Sequence, residues 1–269
     1  MALRDYQRVH YRENPLIEVI CQIRYPRILS IDGEVPFAFQ NKINTQYPIL
    51  QTADEFQQQV SFDVTDDNPI PRITQSEKRP NYAFVSADTK WKVNLTSNFL
   101  SLSTTEYCSW EDFSKRLKSL IGVFQEIYSP PFSEYERVGL RYIDGFTRSR
   151  MDLNNIDWNE LLQPYALGFL SNPDIKNDIK SFVCTTEFEA GNNSFARINT
   201  SLGFINTGNG QVPLPGQELS LILDSDIFAF KVNKDSLFSR LEYIHKVSTN
   251  IIRSVITDKL HEAMKPEEI

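Results

Sequence analysis

The feature that most constrains this chain is a long amphipathic stretch near its end. Over residues 233–261, apolar residues recur at spacings of three and four, which places them on one face of an α-helix. The members of this stripe are Leu237, Leu241, Ile244, Val247, Ile251, Val255 and Leu260. Neither Pro nor Gly interrupts it before Pro266, and Asn233 or Asp235 can cap its first turn. The sequence therefore predicts one helix with a stripe of about seven turns, whose apolar face a sheet must cover.

The chain before this helix contains short stretches with patterns typical of β-strands. In the first half we predict a strand over residues 15–25, a helix over 35–47, four strands over 56–64, 81–86, 90–96 and 99–103, and a helix over 110–127. In the second half we predict a strand over 136–146, a short helix over 157–162, and four strands over 181–190, 195–202, 219–223 and 227–232. Residues 65–80 and 203–216, rich in turn-forming residues, are predicted to be exposed loops.

Both halves thus follow one order, a strand, a helix, four strands and a helix, which indicates a tandem duplication with repeats at residues 1–131 and 132–269. Short echoes support it, because Arg24 lies within Ile-Arg-Tyr in the first strand of one half and Arg141 within Leu-Arg-Tyr in that of the other. This order is that of the TATA-binding-protein-like fold, in which two β-α-β4-α repeats form one curved antiparallel sheet with helices on one face. The sequence therefore predicts an α+β fold of this kind, forming one continuous structural unit.

A second architecture fits the same elements. In a helix-grip domain, one antiparallel sheet wraps around a long C-terminal helix and encloses an apolar cavity. Both architectures are α+β, and both lay the terminal helix on the sheet. The sequence favours the duplicated fold and keeps the helix-grip domain as the alternative.

Composition disfavours several classes of protein. The 269 residues carry a formal net charge of −7, which argues against a nucleic-acid binder held by phosphate contacts. The N-terminus has no apolar core of the signal-peptide type, and no run approaches the roughly 20 apolar residues of a membrane span. Cys21, Cys108 and Cys184 lie far apart and are predicted to be buried free thiols. We therefore expect a soluble, cytoplasmic protein without a membrane partner.

The residue patterns of catalytic and cofactor sites are missing from the sequence. His245 and His261 would lie about 24 Å apart along one helix and cannot share a metal ion or a substrate, and no cysteine pair has zinc-binding spacing. No phosphate-binding loop or nucleophile elbow is present. Asp224 and Asp226 flank a predicted turn, a common place for aspartate. We therefore predict no enzyme activity, no metal site and no cofactor, with an enzyme that uses carboxylates and arginines on the sheet as an alternative.

The candidate binding site consists of Arg24, Arg141, Tyr142 and Asp144. Both arginines lie in otherwise apolar strands, where a charge must be paired or must face water. Alternation along the strand places Tyr142 on one face and Arg141 on the other. If helices cover the face of Tyr142, the arginines reach an open face and can hold a carboxylate, a phosphate or a partner's acidic groups. The alternative is a salt bridge within the sheet to one of three acidic residues, Glu18, Asp144 or Glu187.

Three parts of the chain resemble a family of bacterial proteins. They are the opening strand with Pro-Leu-Ile-Glu-Val-Ile from Pro15, the central Gly-Leu-Arg-Tyr-Ile-Asp from Gly139, and the end with Ile244-His245 and Ile-Thr-Asp-Lys-Leu from Ile256. The family is of about this length, sporadically distributed and functionally uncharacterised. Such a distribution is typical of genes in mobile or defence-related loci, so the resemblance implies an accessory or antitoxin-like role. It supplies no catalytic residues.

Together these patterns predict a non-enzymatic scaffold that binds a protein partner through its open sheet face and the Pro-rich loop over residues 65–80. A small apolar ligand held under the terminal helix is the alternative that a helix-grip domain would give. Self-association is open as well, because the apolar stripe is long for one sheet to cover.

Overall fold

The computed structural model describes residues 4–62, 71–205 and 217–268 and, for residues 54–62 and 71–78, the backbone alone. The chain divides into two compact units. The first comprises Met1–Cys21, Thr105–Tyr107 and Arg137–Ile269, and the second comprises Gln22–Thr104 and Cys108–Glu136. The fold class is α+β with mostly antiparallel sheets, as predicted.

The elements follow one another in this order: β1 Val9–Tyr11, β2 Leu16–Arg24, α1 Leu29–Gly33, α2 Phe37–Ile43, β3 Ile49–Phe62, β4 Pro71–Val85, β5 Trp91–Leu95, β6 Phe99–Thr104, α3 Trp110–Tyr128, β7 Glu134–Phe146, α4 Trp158–Leu161, α5 Pro164–Leu167, β8 Val183–Gly191, β9 Ser194–Gly203, β10 Ser220–Asn233, α6 Leu237–Val255, α7 Asp258–Ala263 and β11 Pro266–Glu268. Short 3-10 turns lie at Arg148–Met151, Gly168–Ser171, Lys176–Asp178 and Lys234–Ser236.

The second unit contains an antiparallel meander, as predicted. Its strand order is β3-β4-β5-β6-β2, where β2 contributes its residues from Gln22 onward. Helix α3 begins after Ser109, whose side chain accepts a hydrogen bond from the amide of Asp112 and so satisfies one exposed first-turn donor. Its apolar face is buried, with Phe113, Leu117 and Phe124 almost fully removed from solvent.

The predicted loop over residues 65–80 is a strand from Pro71 onward, so that prediction was wrong for its second part; residues 65–70 lie outside the described chain, as does most of the second predicted loop, residues 206–216. Strand β4 pairs with β3 along its whole length, whereas β5 pairs only with Tyr82–Val85. Within the described chain, Pro80 therefore sits where β4 has a neighbouring strand on one side only. A proline without an amide hydrogen is tolerated at such a position, although it read as a loop signal in the sequence.

The first unit has the strand order β2-β7-β10-β9-β8, where β2 contributes its residues up to Cys21, and a separate antiparallel pair, β1 with β11. The predicted hairpin of β8 and β9 is confirmed. Asn192 and Asn193 both have positive φ values, 48° and 54°, as in the two-residue turns whose twist matches that of paired strands.

Two strands predicted on either side of residues 224–226 are in fact one strand, β10, of 14 residues. It pairs with β9 without interruption from Ser220 to Ala229. The prediction of a turn was wrong because Asp224 and Asp226 are held within the strand by arginines on a neighbouring strand, as described below. Between its first helical segment and α6, the described part of the second half therefore has three strands, where four were predicted.

The terminal helix was predicted as one piece and is two. Helix α6 packs against β10 with its apolar stripe buried, but the chain becomes extended at Ile256, which forms an isolated bridge with Leu162. The carbonyl of Val255 accepts a hydrogen bond from the amide of Gln163 at 2.8 Å. The side chain of Thr257 then caps α7. These hydrogen bonds to the α4–α5 connection replace those that would continue the helix. They are tertiary contacts, which the spacing of apolar residues does not predict.

None of the helices among the described residues is long and apolar enough to cross a membrane.

Candidate functional site

One face of the sheet in the first unit carries partly exposed charged and aromatic side chains. Along β10, Leu221, Leu223 and Ile227 are fully buried on the side that α6 covers. The alternate residues Asp224 and Asp226 are only partly buried on the other side. Because strand side chains alternate between faces, β10 separates the apolar core from this second surface, which we call the open face.

A row of charges of alternating sign crosses the open face. Glu187 of β8 lies opposite Arg197 of β9, and Arg197 lies opposite Asp226 of β10. The guanidinium of Arg197 donates a hydrogen bond to Glu187. Asp226 Oδ2 accepts one from Arg137 Nη2 of β7 at 2.6 Å. Each charge thus has neighbours of opposite sign, which is the favourable cross-strand arrangement. We call these four residues the charge row.

The arginine at the end of the charge row is held on three sides. The guanidinium of Arg137 lies over the ring of Phe228, 4.4 Å from its centroid, in addition to its bond with Asp226. A Cβ atom on Gly139 would stand 2.6 Å from Arg137 Nη1. Gly139 therefore leaves the space that this guanidinium occupies, and the cation–π contact and the ion pair fix its orientation.

Arg141, a predicted site residue, also lies on the open face. It donates two hydrogen bonds to Asp224, from Nε to Oδ1 at 2.7 Å and from Nη2 to Oδ2 at 2.6 Å. Those bonds raise the pKa of Arg141 above its ordinary value. The sequence offered a salt bridge within the sheet as the alternative, and Arg141 does form one. Its acidic partner is Asp224, however, and not Glu18, Asp144 or Glu187.

Beside the charge row lies a cluster of three phenylalanines, which we call the Phe patch. Phe195 of β9 and Phe228 of β10 are directly paired, and their ring centroids are 5.9 Å apart. Phe230 is 5.4 Å from Phe228 and 5.9 Å from Phe195. Its relative exposure is 53%, so the cluster presents an aromatic surface to solvent. The sequence does not predict this cluster, since the pairing of β10 with β9, which sets Phe195 opposite Phe228, is not a local property of either strand.

Tyr142, another predicted site residue, is on the opposite face from Arg141 and is buried. Its hydroxyl forms a 2.8 Å hydrogen bond with Nδ1 of His245 on α6, and its ring meets that of Tyr107 edge-on at 5.9 Å. Burial raises the pKa of Tyr142 well above its ordinary value. Tyr142 therefore joins the sheet to the helix, and it does not reach the open face.

Asp144 shares the buried face of Tyr142 and is fully removed from solvent. Neither of its carboxylate oxygens has a hydrogen-bond partner within the part of the chain that the structure describes. Burial raises its pKa to about 8. A carboxyl in this environment keeps its proton at neutral pH, because a buried carboxylate without a partner has a higher free energy than the neutral carboxyl.

The structure thus divides the predicted set of four. Arg141 lies on the open face, and Tyr142 and Asp144 lie in the core behind it. Arg24 belongs to the second unit and is half-buried near the end of β2. Whether any of the four contacts a partner stays a prediction.

The histidines and cysteines also take separate places. His245 bonds Tyr142, whereas Nδ1 of His261 on α7 bonds the hydroxyl of Tyr11 at 2.8 Å. The three cysteines are thiols rather than disulfides, as predicted, but of the three only Cys21 is buried, and its burial raises the pKa of its thiol to about 12. Among the described residues, no three His, Cys, Asp or Glu side chains converge as a metal ion would require.

No family model matches the chain, no curated protein is similar to it in sequence, and no solved structure matches its fold. The geometry of the first unit is therefore what a functional assignment must rest on.

Proposed function

We propose that this protein is a non-enzymatic binding protein and that the Phe patch is the centre of its contact with a partner protein. The observation that carries the proposal is a half-exposed aromatic ring, Phe230, supported by two further rings on the surface of a sheet. Contiguous exposed apolar surface rimmed by polar groups is typical of protein–protein contacts. Aromatic residues and arginine supply most of the binding energy at such contacts.

The charge row gives this surface its specificity in the proposal. Arg197 and Glu187 are about half exposed, whereas the pair Arg137–Asp226 is about four-fifths buried. Exposed pairs can exchange their internal partner for one on another protein at little cost, because surface ion pairs contribute little stability. A partner with an apolar centre and charges around it therefore fits the patch.

Catalysis on this unit has little support in its geometry. Asp144, whose pKa is displaced furthest from that of an ordinary carboxyl, is sealed from solvent and cannot touch a substrate there. The carboxylates on the open face, Asp224 and Asp226, are bonded to arginines. They are arranged to hold the face together rather than to transfer protons.

We also propose the finer fold prediction, a duplicated TATA-binding-protein-like scaffold, for this binding role. In each unit the last strand of an antiparallel series, β6 or β10, pairs with the strand that opens that half, β2 or β7. That shared connectivity supports a duplication, although the described residues give the series four strands in one half and three in the other. An antitoxin-like role in a mobile or defence-related locus rests on the family resemblance alone.

The test is capture of a stoichiometric partner from the native host by the tagged full chain. Phe230→Ser should abolish capture, because it removes the exposed ring while leaving the buried face of β10 intact. The matched control is Phe37→Ser in the second unit, where the ring is 65% exposed. A partner retained by Phe230→Ser, or lost equally with Phe37→Ser, would contradict the proposal.

A further inference from the structure

Strand β8 ends the strand order of the first unit, and no strand pairs with its outer side among the described residues. Its side chains are also unusually open for a strand. Those at Val183, Thr185, Thr186, Glu187 and Glu189 are all exposed. A strand with this exposure presents unpaired backbone donors and acceptors that another extended chain can use.

An apolar groove of about 480 Å³ lies beside the first residues of β8. Phe169, in the 3-10 turn Gly168–Ser171, and Ile175 line it, with exposures of 72% and 39%. Phe182 and Cys184 form another part of its wall. Phe169 is a large ring left exposed, and another molecule that entered the groove would remove it from water.

Charge is distributed unevenly along the edge. Lys180 lines the groove before the strand begins, whereas Glu187 and Glu189 lie further along β8. The side chain of Glu189 has no ion pair among the described residues, and Glu187 meets Arg197 in an exposed pair. Beyond the groove the edge is therefore acidic, in a chain with a net charge of −7.

We propose that the outer edge of β8 binds an extended segment of another protein as an added strand, in which apolar and basic side chains alternate. The apolar side chains follow the face of Cys184 and enter the groove, and the basic ones lie beside Glu187 and Glu189. The two-residue period of a strand requires this alternation. The groove lies about 20 Å from Glu189 and the neighbouring Phe patch, six residues along the strand. The groove is therefore separate from the Phe patch, whereas Glu187 belongs both to this edge and to the charge row. The proposal for the edge stands without the proposed function.

A second copy of this chain fits the edge less well than a basic segment does. Suppose that two β8 strands paired antiparallel with Thr186 opposite Thr186. Each copy would then contribute Glu187 and Glu189, so four carboxylates would lie along the junction. Strand β8 carries no Lys or Arg to offset them. Like charges gathered on adjacent strands disfavour pairing, whereas opposite charges stabilise it.

The test uses three synthetic nine-residue peptides and the rate at which a thiol reagent modifies Cys184 in the folded full chain. One peptide alternates Val and Lys, one alternates Val and Glu, and one is the Val/Lys peptide with a central Pro. Cys108, exposed in the second unit, is an internal control. At a peptide concentration about ten times its Kd, the Val/Lys peptide should slow modification of Cys184 by about tenfold and leave Cys108 unchanged. The other two peptides should protect neither thiol.

Variants locate the binding surface. Phe169→Ser should weaken binding of the Val/Lys peptide by about tenfold or more, because the groove loses its largest apolar side chain. Phe37→Ser is the matched control, and Phe230→Ser, which tests the Phe patch, should also leave peptide binding unchanged. Glu189→Lys should shift the preference toward the Val/Glu peptide.

Equal protection by all three peptides, or protection that survives Phe169→Ser undiminished, would overturn the proposal. Protection of Cys184 that grows with protein concentration in the absence of peptide would identify a second copy as the occupant and overturn it as well.

Discussion

The two faces of strand β7 differ in how their ionisable side chains are accommodated. On one face Arg141 has an exposed side chain and two hydrogen bonds to Asp224. On the other, Asp144 is fully buried and has no hydrogen-bond partner within the described residues. Water explains the difference, since the first face can keep its charges as ion pairs that solvent also stabilises, whereas the second tolerates a carboxyl only in its neutral form. The open face is thus able to change partners, and the buried face is not.

The largest expected effect concerns Asp144. Its carboxyl ionises near pH 4 in the unfolded chain and near pH 8 in the folded one, so the unfolded state releases the proton first. The contribution of the protonated Asp144 to the free energy of unfolding is therefore complete below pH 4. It is lost progressively as pH rises to 8, and for a shift of this size the loss is on the order of 5 kcal/mol. Asp144→Asn should abolish this dependence. Urea unfolding at pH 5, 6.5 and 8 measures it.

A matched control for that series is Asp224→Asn, which removes a carboxyl from the open face of the same unit. It should leave the decline in stability between pH 5 and 8 in place. Parallel pH profiles for the wild type and Asp144→Asn would show that Asp144 is not the group responsible.

The next effect concerns the bond between sheet and helix. Tyr142→Phe removes the hydroxyl that meets His245 in the core and should lower the free energy of unfolding by about 1–3 kcal/mol, since the imidazole nitrogen loses a partner away from water. Tyr165, whose ring is 63% exposed, also forms a hydrogen bond through its hydroxyl, to the carbonyl of Ser254. Tyr165→Phe should change stability far less, because water replaces the lost partner. Equal losses for the two variants in urea unfolding would show that burial does not set the cost of removing a hydroxyl.

The smallest effect is expected on the open face itself. Arg141→Gln should cost about 0.5 kcal/mol, because its side chain is 45% exposed and surface ion pairs are screened. Arg137→Gln should cost more, about 1–2 kcal/mol, since its side chain is only 19% exposed and also covers the ring of Phe228. Thermal unfolding of the two variants at low and high salt measures the two costs. If Arg141→Gln were the more damaging of the two, exposure would not be what sets the cost.

Sequence reasoning succeeded where structure follows from local patterns. The apolar stripe of α6 and the turn at Asn192-Asn193 are such features, because helix period and positive φ are local properties. Alternation along β7 likewise placed Arg141 and Tyr142 on opposite faces. These signals need no knowledge of what lies across the fold.

It failed where a distant contact decides the local structure. The end of α6 at Val255 depends on two backbone hydrogen bonds, from the amide of Gln163 to the carbonyl of Val255 and from the amide of Thr257 to that of Leu161. These partners lie far apart in the sequence, and no periodicity records them. Asp224 and Asp226 resemble turn residues in sequence, yet in the fold they are the acidic partners of Arg141 and Arg137. The Phe patch depends on the pairing of β9 with β10, which brings Phe195 beside Phe228 and Phe230, and the sequence does not record that pairing.

The central claim is that the Phe patch contacts a partner protein, and photo-crosslinking in the native host tests it most directly. A photo-reactive phenylalanine analogue would replace Phe230 in one version of the full chain and Phe37, the comparably exposed ring of the second unit, in another. We expect one discrete crosslinked product from position 230 and none from position 37. The absence of a product at position 230, or the same products at both positions, would contradict the claim.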